Sequence, residues 1–182
     1  MRRTHTIETL LVAMAIGAVA ASCAQVEADV PEAKVTQKGV SFHGAGWGGG
    51  GWSGEVSTTQ SFTLDSDNLS WVKDLNSKIY LTQIDLTANS GTQDLSFIHY
   101  AHVTMSDGDR KAMPVELVDY VRPDHQAPTA VLIAKTAYPV DVSKLWTVKK
   151  LVVTVTVAGD LPEKSWSVDV TLHLSGQISY KL

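Results

Sequence analysis

The chain has 182 residues, with 15 basic against 19 acidic side chains and one cysteine. That length fits a single domain with a core of its own. The mildly acidic balance, without a lysine and arginine cluster, gives no electrostatic ground for nucleic acid as a partner. One cysteine excludes an internal disulfide, so a fold of this chain rests on its hydrophobic core.

The first segment is a targeting signal. Arg2 and Arg3 precede an uninterrupted apolar run over residues 10–21, and small residues then lead to Cys23. A charged start, a short apolar run and a small-residue site are the parts of a secretory signal peptide. The run has 12 residues, whereas a membrane-spanning helix needs roughly 20. Val19-Ala20-Ala21-Ser22-Cys23 resembles the lipobox of bacterial lipoproteins. The resemblance implies cleavage after residue 22 and lipid on Cys23, with residues 1–22 as signal peptide. It departs from the usual pattern at Ala20, where leucine is commoner. Ordinary cleavage after Ala18-Val19-Ala20 is the alternative, and would leave a secreted protein with a free thiol.

Cleavage at Cys23 leaves 160 residues with a net charge of minus five. Residues 23–38 carry Glu27, Asp29, Pro31 and Glu32 with little periodicity, which reads as a polar tether lifting a domain off the membrane. Residues 39–54 follow as a Gly/Trp-rich loop, with Val40-Ser41-Phe42 a candidate first strand. In residues 44–54, seven of eleven positions are glycine, and Trp47 and Trp52 stand among them. Such a run reads as a flexible loop. Its two indoles either tuck onto the domain's own surface or form an aromatic arm for a ligand or a membrane interface. Trp47 and Trp52 are therefore the ligand-binding candidates.

Residues 55–182 read as an all-β domain. Period-2 alternation with β-branched residues marks strands over residues 56–64, 78–88, 115–121, 130–134, 151–157 and 166–174. The last is the most regular: Trp166, Val168, Val170, Leu172 and Leu174 turn one way, and Ser167, Asp169, Thr171 and His173 the other. Three places break the alternation. Asn68, Trp71, Val72 and Leu75 fall at helical spacing, residues 94–98 share the pattern, and Val142, Leu145 and Trp146 repeat it. These read as short helical turns covering the ends of the fold. Residues 96–105 have a second reading as a plain strand. The predicted fold class is an antiparallel β-sandwich of about seven to nine strands with two or three short helical turns.

No residue set makes a catalytic motif. Gly51-Trp52-Ser53-Gly54-Glu55 ends in Glu55 where a nucleophile elbow needs glycine, and a glycine run precedes it where a strand is needed. His99 and His102 are three apart, which on a strand turns them to opposite faces, and no H-E-x-x-H pattern accompanies them. Asp65-Ser66-Asp67-Asn68 starts like a calcium loop, but Leu69 and Asn76 occupy ligand positions. No metal, cofactor or catalytic residue is expected. The layout of signal, short tether and sandwich resembles small envelope lipoproteins of Gram-negative bacteria. It implies an envelope-anchored, non-catalytic binding or structural module at the outer membrane. Its partners would be the membrane, through the lipid, and an envelope protein or glycan. The alternatives are an enzyme acting on glycan or envelope polymer through acids on loops, and a carrier of a small hydrophobic ligand between the sheets.

Overall fold

The computed structural model describes residues 25–44, 56–65, 77–89, 92–108, 113–145 and 150–181. Cys23, Trp47 and Trp52 lie outside the described residues, as does the helical spacing of residues 68–75. Eight strands follow in chain order: β1 (Gln25–Phe42), β2 (Val56–Asp65), β3 (Ser77–Ala88), β4 (Ile98–Asp107), β5 (Val115–Val121), β6 (Val131–Asp141), β7 (Lys150–Gly159) and β8 (Trp166–Lys181). They form two antiparallel four-stranded sheets, ordered β1-β8-β3-β6 and β2-β7-β4-β5. First pairs with last, second with seventh, third with sixth and fourth with fifth. The chain is one long ribbon folded back at the β4–β5 connection. It is rolled so that β8 also meets β3 and β7 also meets β4, which is a jelly-roll arrangement.

The inner faces follow the alternation. Val153, Val155 and Val157 of β7 and Val168, Val170 and Leu172 of β8 are fully buried, and meet Leu81 and Ile84 of β3 and Met105 of β4 in one apolar cluster. On the outer faces the same strands carry threonine, serine and charged groups, as a half-buried strand requires. In β5 the register slips where it passes from Val103 to Thr104 of β4. Leu117 and Val118 are therefore both buried and Val121 is 64% exposed, so the period-2 alternation expected over residues 115–121 breaks inside β5.

Two further expectations are corrected. Residues 25–38 are not a tether: they are the first part of β1, paired with β8 from Gln25↔Lys181 onward. Their apolar residues do alternate, but in three phases: Val26, Ala28 and Val30, then Ala33 and Val35, then Val40 and Phe42. Register shifts between Val30 and Ala33 and between Gln37 and Val40 join the phases. At the second shift Gly39 has φ 64°, a left-handed conformation that glycine adopts without a Cβ clash. Its N–H donates to Asp169 Oδ1 at 2.8 Å. The expected helical turns near residues 94–98 and 142–146 are each one hydrogen-bonded turn. Ile98 N–H donates to Leu95 O at 3.1 Å, and Leu145 N–H to Val142 O at 3.0 Å. Beyond residue 98 the strand reading holds, since Ile98–Asp107 is β4.

Candidate functional site

The outer face of the β1-β8-β3-β6 sheet carries a polar cluster that the alternation itself creates. His173 is on the outward side of β8, and its cross-strand partners are Lys34 on β1 and Gln83 on β3. Gln83 in turn faces Lys135 on β6. One step along, Thr36, Thr171, Asp85 and Ile133 make the next row. Three of the four strands slip register at one level. β1 slips between Val30 and Ala33, β3 between Leu81 and Gln83, and β6 leaves residues 136–139 between the partners of those same two residues. All three irregularities fall beside β8 residues 173–176. Bulges re-aim side chains and terminate regular pairing. Here the β1 slip leaves Glu32, just ahead of Ala33, against His173.

The imidazole of His173 is clamped between two carboxylates. Its Nδ1 lies 2.7 Å from Glu32 Oε1 and its Nε2 lies 2.8 Å from Asp85 Oδ2. Gln83 Nε2 donates to the other oxygen of Asp85 at 2.6 Å. In the adjoining row the Thr36 and Thr171 hydroxyls are 2.9 Å apart. The exposure of the three clamped side chains is graded: 6% for His173, 19% for Asp85 and 48% for Glu32. The ring is shielded, while Glu32 keeps acceptor capacity toward water.

This geometry limits the chemistry. With each ring nitrogen on a carboxylate, the imidazole has no free nitrogen with which to take a proton from a hydroxyl, as a general base must. The ring also fills the space between the two carboxylates, where a glycosidase holds the sugar and its water. The cluster is an array of hydrogen-bonding groups with fixed rotamers, tying three strands together.

A second polar region lies at the end of the sandwich that carries the β1–β2, β3–β4, β5–β6 and β7–β8 connections. Asp94 accepts from the backbone N–H of Ser96 at 2.8 Å and from its hydroxyl, which holds the Asp94 carboxyl below its ordinary range. The Arg122 guanidinium donates to the carbonyl oxygens of Ser96 and Gln126. Tyr120 donates to Gln126 Oε1 at 2.7 Å, and burial raises its phenol above its usual range. Beneath them Trp166 stacks on Phe42 with ring centroids 4.6 Å apart and meets Phe97 edge-on at 4.9 Å. A Cβ on Gly44 would come 2.1 Å from the Glu163 carbonyl oxygen, so only glycine lets the start of the β1–β2 connection pass the β7–β8 connection. These bonds hold loops to one another.

The histidine pair is split. His99 Nε2 lies 3.5 Å from Asp160 Oδ2 on the β7–β8 connection, and His102 Nδ1 lies 2.5 Å from Asp119 Oδ1 on β5. Among the described residues no group of three or more His, Cys, Asp or Glu is arranged to hold a metal ion. The Glu32, Asp85 and His173 cluster escaped the sequence reading. Its members are 141 and 88 positions apart in the chain, and Glu32 stands in the stretch read as tether.

No family model matches the chain, and no curated protein matches it. Among solved structures it is similar to the family 32 carbohydrate-binding module of NanJ from C. perfringens, determined in complex with galactose. The identity is 10% and the TM-score 0.34, over 81% of this chain and 99% of that one. A score that low carries no inference about a ligand. The fold defines the chain as an antiparallel jelly-roll β-sandwich.

Proposed function

We propose that this is a non-catalytic binding module of the bacterial cell envelope, held to the outer membrane by lipid on Cys23. On this reading it binds a glycan across the outer face of the β1-β8-β3-β6 sheet. The observation that carries the reading is the clamped cluster of Glu32, His173, Asp85 and Gln83. Sugar hydroxyls donate to carboxylates and accept from amide N–H groups. Such groups stand here on neighbouring strands about 4.8 Å apart, with Lys34 and Lys135 closing the row. Ile133, 50% exposed and opposite Asp85, offers an apolar contact to a sugar ring. Holding the acids in one rotamer removes an ordering cost that binding would otherwise bear. Trp47 and Trp52 are proposed as additional aromatic contacts.

Co-sedimentation with purified peptidoglycan sacculi and with lipopolysaccharide tests this. Gln83→Ala and Lys135→Ala should each weaken retention about tenfold, equivalent to about 1.4 kcal/mol. Thr63→Ala, exposed on β2 of the other sheet, should leave retention unchanged. Retention by neither polymer, or equal loss from all three variants, would remove the reading.

A further inference from the structure

We propose that the protein pairs with a second copy of itself edge to edge, β2 against β2 in antiparallel register about Gln60, so that two β2-β7-β4-β5 sheets join into one. The proposal stands apart from the glycan reading above. It starts from a contrast among the edge strands β1, β6, β2 and β5. A sheet edge exposes unpaired N–H and C=O groups, and proteins blunt it with charges, proline, bulges or short length. β1 carries Pro31 and slips register twice. β6 carries Lys135 and Pro139 and leaves residues 136–139 out of its ladder. β5 has only seven residues, with Glu116 and Asp119 among them, and its ladder slips. β2 has none of these devices. Its ten residues pair with β7 without a register shift, and residues 56–64 contain no charge, proline or glycine. Among the described residues β7 is its one ladder partner.

The occupant is a second copy because β2 complements itself. Outward from Gln60, Thr59 and Ser61 carry hydroxyls, and Thr58 and Phe62 are β-branched and aromatic. Ser57 and Thr63 carry hydroxyls again, and Val56 and Leu64 are apolar. A two-fold axis through Gln60 sets each member of these pairs against the other in the second copy, as an isologous interface requires. Hydroxyl meets hydroxyl, apolar meets apolar, and Thr58 against Phe62 is a favourable cross-strand pair. No like charges are opposed within residues 56–64. The pairing also lengthens a row that already exists on the outer face. Thr59 Oγ1 lies 2.9 Å from Thr156 Oγ1, and Ser61 Oγ lies 2.8 Å from Thr154 Oγ1. With Thr59 against the second copy's Ser61, four hydroxyl side chains stand in one line across the axis. On the inner side, Val56 is 38% exposed and Phe62 only partly buried against the core, and the second strand would cover both.

Residues 56–64 paired in this way form about eight to ten ladder bonds, two for each alternate pair. A typical protein–protein interface carries about ten hydrogen bonds. The two-fold axis stands perpendicular to the joined sheet. Both β1-β8-β3-β6 sheets therefore lie on the same side of it, with their outer faces turned the same way. Two copies of the face that holds Glu32, His173 and Asp85 then look in one direction, and a long polymer could engage both at once.

The test uses the full chain, purified in mild detergent at micromolar concentration. Light scattering should give the mass of two chains. In a Cys23→Ser background, which removes the only native thiol, Gln60→Cys should oxidise to a linked pair. Directly opposed residues have Cα atoms about 4.5–5.5 Å apart, within the reach of a disulfide. Thr63→Cys should stay unlinked, because its two copies would stand roughly 20 Å apart. Thr59→Lys combined with Ser61→Lys sets lysine against lysine and should weaken association at least about a hundredfold. Thr59→Glu combined with Ser61→Glu should do the same, and mixing the two double variants should restore the pair. Both positions are exposed, and a thermal melt reports whether each variant folds. A parent chain that stays single, equal linking at 60 and 63, a lysine variant that still pairs, or a mixture that stays single would each overturn the proposal. If the charged variants fail to fold, linking at 60 against 63 decides alone.

Discussion

β1 and β8 lie side by side along their whole length, yet only one of them announces itself. In β8 the apolar positions alternate without interruption from Trp166 to Leu174, and each of those side chains is buried. In β1 the alternation is just as real but changes phase twice, once at Pro31 and Glu32 and once at Lys38 and Gly39. A fixed period-2 template loses such a strand at each slip, and the acids between the apolar residues then make it look like a linker. The two strands also have different neighbours. β8 has one on each side, and β1, at the sheet edge, has one. An edge strand buries less, so Ala33 and Val35 are only partly covered. The slips themselves set the outer face, since one of them brings Glu32 against His173.

The largest expected effect breaks the legible strand. Val170 is fully buried between the sheets. Val170→Asp places an unpaired carboxylate in the core, which costs several kcal/mol against a typical domain stability of about 5–15 kcal/mol. Soluble, cooperatively folding protein should be lost. Thr171→Asn, next in the chain but on the outer face beside Asp85, should melt within a few degrees of the parent. A thermal melt of the two variants side by side decides whether inside and outside alternate as described.

Next comes the strand that reads as a linker. Starting the chain at Gly39 removes all of β1 except its last residues. β8 then loses its ladder partner from Gln37 back to Gln25, and His173 loses Glu32. A true tether could be cut with no effect. Here we expect an aggregating protein without a cooperative transition, because a long strand with unpaired N–H and C=O groups would be exposed. A sharp melt near that of the full chain would show β1 to be dispensable and would restore the linker reading.

What was legible follows from this contrast. The β-sandwich could be read because β7 and β8 each keep one phase over several turns of the pleat, and the eight strands among the described residues fall within the expected seven to nine. Residues 96–105 were open to two readings, and the slips in β1, β3 and β5 were not legible, because a bulge is set by the neighbouring strand's register rather than by any local residue pattern. Glu32, Asp85 and His173 read as separate polar residues, each unremarkable on its own. Only the rolled topology, pairing first strand with last and last with third, brings them together on one face of the sheet. Cys23, Trp47 and Trp52 rest on sequence patterns alone.

The smallest effect concerns the other edge of the same sheet. β6, like β1, has a single ladder partner, but its last residue is tied by side chains. Asp141 accepts from the Ser143 hydroxyl at 2.5 Å and from the Ser143 N–H at 2.9 Å, and Ser143 Oγ accepts from Ile79 N–H at 2.9 Å. The Ser143 hydroxyl is the main reason that the Asp141 carboxyl lies below its ordinary value of 3.8, with Lys78 and Lys144 adding to the effect and burial opposing it. A carboxyl whose value is lower in the folded state favours folding at pH above its unfolded value, and that contribution disappears as pH falls through the folded value. Asp141→Asn should therefore be less stable than the parent near neutral pH. Because the carboxylate is largely exposed, screening by water keeps the difference under about 1 kcal/mol. In urea titrations the two proteins should converge as the pH falls through the carboxyl's folded value, where the parent becomes protonated as well. A gap of constant size at every pH would mean that the asparagine disturbs the turn sterically, and that charge plays no part in holding this edge.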